Sequence, residues 1–192
     1  MKKIFTALVA LVAVVTLTAC GSDNSGAKVT KIRAEKSSLE ITAPFSLMSA
    51  PLDEFDGMET YIKKSEVKAA DENGIILAVT SVVFDKQKIS AETGEEFVPD
   101  LEGALKGAVE NMEHVKNSGG VTDIEINGIH AKEITGSAEV EFSGASNPSP
   151  CEFRAVSFAD DGEFWMVFMA RKPDDKTKAV ADEIFNSLKL TK

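Results

Sequence analysis

Phe153-Arg154-Ala155-Val156-Ser157-Phe158-Ala159 and Phe164-Trp165-Met166-Val167-Phe168-Met169-Ala170 flank Asp160-Asp161-Gly162-Glu163, and this stretch decides the fold. Side chains alternate across an extended strand. If the chain folds back at Asp161-Gly162, Val156, Phe158, Trp165, Val167 and Met169 share one face of a hairpin. Phe153, Ala155, Phe164, Met166 and Phe168 then share the other. Both faces are apolar, so both need cover, and a sheet of this kind lies between two further layers.

Working outward, residues 61–70 run through Asp71-Glu72-Asn73-Gly74 into residues 75–84, and residues 121–126 run through Asn127-Gly128 into residues 129–135. Asn-Gly supplies the positive φ angles that a tight hairpin demands, so each pair of runs is expected to be antiparallel. Residues 29–34, the polar corner Glu35-Lys36-Ser37-Ser38 and Leu39-Glu40-Ile41-Thr42 before Pro44 read as two strands that open the sheet. Two helices offer the cover. Residues 99–116 carry Leu101, Leu105, Val109 and Met112 on one stripe, with Pro99 near the start and Gly119-Gly120 beyond the end. Residues 173–188 repeat the arrangement with Val180, Ala181, Ile184, Phe185 and Leu188. A short helical turn is expected within residues 47–57. There is no internal repeat.

This order of elements, with the aromatic strand Phe164-Trp165-Met166-Val167-Phe168 followed by a helix closing in Phe185-Asn186-Ser187-Leu188, is similar to the PsbP-like fold. That fold is shared by the Ran-binding protein Mog and by bacterial lipoproteins of the DcrB type. The resemblance covers most of residues 35–190; Phe45 follows Pro44 where the family pattern has Trp. It implies an α+β domain with an antiparallel β-sheet sandwiched between helices, a three-layer α/β/α arrangement. It implies no function, since the relatives differ widely in what they do.

Met1-Lys2-Lys3 precedes residues 4–19, an apolar run without charge, which is the pattern of an export signal. The run is shorter than the roughly 20 apolar residues of a membrane-spanning helix, so a permanent transmembrane anchor is disfavoured. Leu17-Thr18-Ala19-Cys20 resembles the lipobox of bacterial lipoproteins. The resemblance implies acylation of Cys20, whose thiolate has the nucleophilicity to take up a diacylglyceryl group as a thioether. It also implies a lipid-anchored, extracytoplasmic protein of the cell membrane or outer membrane, since two or more chains anchor stably where one does not. The chain therefore divides into a signal peptide (1–19), lipidated Cys20 with a flexible Gly, Ser and Asn tether to residue 28, and one domain (29–192). The tether reaches on the order of 16 Å.

The chain carries a net charge of -10, and loss of Lys2 and Lys3 with the leader takes it to -12. Such a surface repels phosphate backbones and anionic headgroups, which argues against nucleic acid as a partner. With one of the two Cys committed to the anchor, no disulfide framework is expected. Candidate chemistry is sparse. His114 is expected on the polar side of the first helix with Glu110 and Glu113, His130 on a hairpin strand off its apolar stripe, and Cys151 in a loop after Asn147-Pro148-Ser149-Pro150. None has a partner at metal-ligand or triad spacing. Glu92, Glu95 and Glu96 around Gly94, and Asp160, Asp161 and Glu163 around Gly162, lack the calcium-loop pattern. Gly103 and Gly107, four apart, read as small residues that let a helix approach a sheet.

The expectation is a non-enzymatic binding or scaffolding module of the cell envelope, without metal or cofactor, meeting membrane lipid through Cys20 and a protein partner in the envelope. The alternatives are a lipid-anchored carrier of a small ligand or cation, using a cleft between sheet and helix, and, third, an envelope hydrolase. Partner binding needs an exposed apolar or acidic patch, whereas ligand carriage needs a concave site with convergent polar groups. Cys20→Ser is expected to release the protein from the membrane fraction after export. A wild-type protein found equally soluble would refute the anchor.

Overall fold

The computed structural model describes residues 26–50 and 59–192. The expected leader, the lipobox-like Leu17-Thr18-Ala19-Cys20 and residues 51–57 of the expected helical turn lie outside the described residues. In chain order the elements are β1 (Lys28–Arg33), β2 (Ser38–Ala43), β3 (Met48–Ser49), a 3-10 turn (Glu59–Tyr61), β4 (Ile62–Glu72), β5 (Ile75–Phe84), α1 (Lys86–Thr93) and α2 (Leu101–Glu110). After these come β6 (Val115–Ser118), β7 (Thr122–Ile126), β8 (Ile129–Val140), β9 (Ser149–Asp160), β10 (Glu163–Arg171), α3 (Asp175–Asn186) and β11 (Lys189–Thr191). The class is α+β, dominated by antiparallel sheet.

Eight strands form the main sheet in the order β3-β4-β5-β10-β9-β8-β6, with β7 also paired to β8. Its three hairpins turn where the sequence places them. Asn73-Gly74, Asn127-Gly128 and Asp161-Gly162 all have positive φ at both positions, from 46° to 84°, the signature of a type I′ turn whose twist matches the strands it joins. In the β9–β10 hairpin, Trp165 lies opposite Phe158 and Val167 opposite Val156. Trp165, Val167, Met169, Val156 and Phe158 enter one buried cluster; Phe164, Met166, Phe168, Phe153 and Ala155 enter another on the opposite face.

α2 covers the second of these faces through Ala104, Leu105, Ala108 and Val109. The first face is covered differently from the expectation of a helix alone. α3 contributes Ala181, Ile184 and Phe185, and beside it lies a separate three-stranded sheet, β1-β2-β11, contributing Ile32, Leu39 and Ile41. The chain's first two strands thus form where expected and pair with each other, but they do not open the main sheet. They join β11, the segment after α3, with Leu39 opposite Leu190.

The helix expected over 99–116 is shorter. It ends at Glu110, His114 takes φ of 57° beyond it, and residues 115–118 form β6 on β8. Val115-Lys116-Asn117-Ser118 is too short and polar to advertise a strand; its pairing to Gly136, Ser137 and Ala138 decides it. Cys151 is in β9 rather than a loop, buried at the Ala138 register, where burial raises its thiol pKa. Gly103 is required by the helix cap: a Cβ there would stand 2.3 Å from the Asp100 carboxylate that accepts the Gly103 N–H. Met48–Ser49 is a short strand, and α1, with Asp85 as N-cap and Gly94 in the left-handed conformation at its end, was not anticipated.

Trp165 is fully buried and stacks on Phe158 with ring centroids 6.3 Å apart. Trp165→Ala should therefore cost about 3 to 5 kcal/mol in a denaturant titration. The native Trp emission should be blue-shifted and poorly quenched by iodide; a red-shifted, quenchable emission would contradict this burial.

Candidate functional site

Four strands and one helix build a cleft of about 370 Å³ on the α3 side of the main sheet. Strand alternation puts Thr135 and Ser137 of β8, Glu152 and Arg154 of β9, and Met169 and Arg171 of β10 on this face, in phase with the buried stripe of Val156, Phe158 and Trp165. Cross-strand register arranges them in two rows: Asn117, Ser137, Glu152 and Arg171 form one, and Thr135, Arg154 and Met169 the other. Lys178, Ala181, Asp182 and Phe185 of α3 form the wall. α3 is anchored at its start by Asp174, whose carboxylate accepts the Thr177 N–H at 2.8 Å.

Charges at core-facing positions demand partners. Arg171 spends its donors inside the protein: Nη2 on Glu152, and Nη1 on the Lys172 carbonyl at 3.1 Å. Arg154 is held differently. Its Nε donates to Glu133 at 2.5 Å and its guanidinium lies 4.0 Å above the Phe185 ring, an ion pair and a cation–π contact that together fix the plane. Its two Nη groups have no partner among the described residues, and neither do the side chains of Asn117, Thr135 and Ser137. Lys178 and Asp182 pair at 2.8 Å one helical turn apart, both more than half exposed.

A second concavity, about 320 Å³, lies at the turn of the β9–β10 hairpin and contains Glu35, Lys36, Lys63, Lys86, Asp161 and Glu163. Here the acidic cluster read from the sequence is taken apart. Asp160 pairs with Lys192 at 2.9 Å. Asp161 pairs with Lys36 at 2.5 Å and Lys86 at 3.0 Å, which pulls its pKa down to about 2. Because that value lies below the unfolded one, its contribution to folding is complete above the ordinary carboxylate range and is lost as pH falls toward 2. Glu163, only 2% exposed, accepts the backbone N–H groups of Glu35 at 2.7 Å, Lys36 at 2.5 Å and Ser37 at 3.1 Å, and the Ser37 hydroxyl. It clamps the β1–β2 corner to the main sheet.

The other sequence candidates remain apart. His114 is exposed in the turn before β6 and His130 is exposed near the start of β8, Glu95 and Glu96 are exposed, and Glu92 accepts from the Tyr61 hydroxyl, which raises the phenol pKa. Among the described residues no group of three or more His, Cys, Asp and Glu could hold a metal ion. The sequence reading passed over Arg154, Arg171 and Glu152. The signal was present: each continues the alternation of an apolar stripe past the end of that stripe on its own strand, where a charge replaces the apolar side chain.

No family model matches the chain, and no curated protein matches it. Among solved structures, the chain is similar to that of LpqN, involved in cell envelope biogenesis of Mycobacterium tuberculosis, with 16% sequence identity and a TM-score of 0.43. The match covers 86% of this chain and 92% of that chain. No described helix is long and apolar enough to cross a membrane.

Glu163→Gln should destabilise the domain by about 1.5 to 3 kcal/mol, because the amide turns an N–H toward the backbone donors that the carboxylate now satisfies. Urea denaturation measures it. A change under about 0.5 kcal/mol would show that the clamp contributes little.

Proposed function

We propose that the chain is a lipid-anchored extracytoplasmic domain that holds a small polar ligand in the cleft beside α3 without transforming it. One observation carries this reading: Asn117, Thr135, Ser137 and Arg154 converge on a concave site with polar groups left over after the protein's own hydrogen bonds are counted. The lipobox resemblance at Leu17-Thr18-Ala19-Cys20 supports the anchor in the cell membrane or outer membrane. The three-layer, PsbP-like description belongs to the same proposal, supported by α2 on one face and α3 on the other. Among the described residues the large exposed apolar side chains, Val29, Met48 and Val98, stand on three different segments. A scaffold for a protein partner therefore ranks second to ligand binding.

The reading is tested on full-length protein solubilised from membranes in mild detergent. Native mass spectrometry is expected to find a small molecule retained by wild type and lost in Ser137→Trp, whose indole occupies the cleft from a half-buried floor position, with an unchanged circular dichroism spectrum. Equal retention by the folded variant would refute the cleft as the binding site.

A further inference from the structure

We propose that the cleft takes a small hydroxylated anion, with the two Nη groups of Arg154 as the receptor for its carboxylate or phosphate. This rests on the preceding reading that the cleft holds a ligand.

The argument starts from which donors are spent. Arg171 is committed to Glu152 and to backbone carbonyls. Arg154 has only Nε engaged, through Glu133. A guanidinium presents five N–H donors in a planar fork, so four remain on Nη1 and Nη2. Its plane is already fixed by Glu133 on one edge and the Phe185 ring beneath, so little side-chain freedom is lost when a ligand binds. Two parallel N–H bonds match the oxygen spacing of a carboxylate or phosphate, and such charge-assisted bonds exceed neutral ones in strength.

The rest of the cleft supplies the other half of the chemistry. Thr135 lies directly across from Arg154 in the sheet register, and Ser137 sits two residues along the same strand beside Asn117. Two hydroxyls and an amide, each able to donate and accept, complement hydroxyl groups on a ligand's body. Lys178 on the wall is tied only by an exposed pair with Asp182, which yields to a stronger anion at little cost. Glu133 and Glu152 balance the two arginines, which keeps the site from being a general sink for anions. The fork then selects by geometry rather than by net charge.

The concavity near Asp161 is a weaker candidate. Its lysines already hold Asp161, and its backbone donors already hold Glu163.

The test is calorimetric titration of detergent-solubilised full-length protein with glucose 6-phosphate, glucuronate and glucose. The two anions are expected to bind about tenfold or more tightly than neutral glucose, the ratio that one charge-assisted pair of bonds supplies. The comparison between them separates a phosphate source from a carboxylate source. Raising ionic strength should weaken the anions and leave glucose unchanged. Arg154→Gln should erase the tenfold preference and Arg154→Lys should retain part of it. Because Arg154 also supports Phe185, the double variant Thr135→Ala with Ser137→Ala, which removes no internal bond, provides a folded control. It should weaken all three probes and preserve the anion preference. The proposal is overturned if neither anion binds, if glucose binds as tightly as the anions, or if the preference survives in a folded Arg154→Gln protein. Should the anions fail while Ser137→Trp still abolishes retention of the native small molecule, the anion assignment falls and the binding reading stands.

Discussion

A β-strand that is apolar on both faces cannot be left against water on either, and β10 imposes this constraint on the whole domain. Glu163 through Ala170 are all buried, with Trp165, Val167 and Met169 facing one way and Phe164, Met166 and Phe168 the other. Everything that surrounds β10 follows from the need to remove these surfaces from water at roughly 25 cal/mol per Å² of apolar area. β5 and β9 flank it in the sheet, α2 covers one face, and α3 with the β1-β2-β11 sheet covers the other. The main sheet is wider than α3. Where the helix stops covering β9 and β8, the alternating positions cease to be apolar and become Arg154, Glu152, Thr135 and Ser137.

That transition explains the pairing seen in the cleft. A charge on a core-facing position loses hydration, and the cost is met by opposite charge or hydrogen bonds nearby. Arg171, with its side chain 14% exposed, is the more enclosed and has both Nη groups engaged; Arg154, 34% exposed, is engaged through Nε only. The gradient from apolar core to paired charge to unspent donor runs across one face of one sheet. Opposite it, at the hairpin end, the same logic uses a buried carboxylate: Glu163 is satisfied by the backbone of the β1–β2 corner, so the small sheet is held to the main one by polar bonds as well as by Ile32 and Leu39. Asp71 shows the cost of doing this incompletely. One of its oxygens accepts the Ser143 N–H while the other is buried without a partner, and burial raises its pKa.

Local rules alone made the three hairpins legible, because Asn-Gly and Asp-Gly encode positive φ whatever surrounds them, and alternation assigned the large apolar side chains of β9 and β10 to their observed faces. The stripe of α3 and the start of α2 were likewise readable from period and punctuation. The lipobox resemblance at Leu17-Thr18-Ala19-Cys20 rests on sequence alone. What only the tertiary structure decided depends on partners distant in the chain. β6 and β11 are strands because Gly136 and Leu39 are there to pair with them, the end of α2 is set by that pairing rather than by its own propensity, and Cys151 is buried because β9 extends four residues beyond its apolar run. The cleft is of the same kind: Arg154 and Phe185 are separated by a turn, a strand and a helix, and only the packing of α3 on the sheet brings the guanidinium onto the ring and leaves its remaining donors unspent.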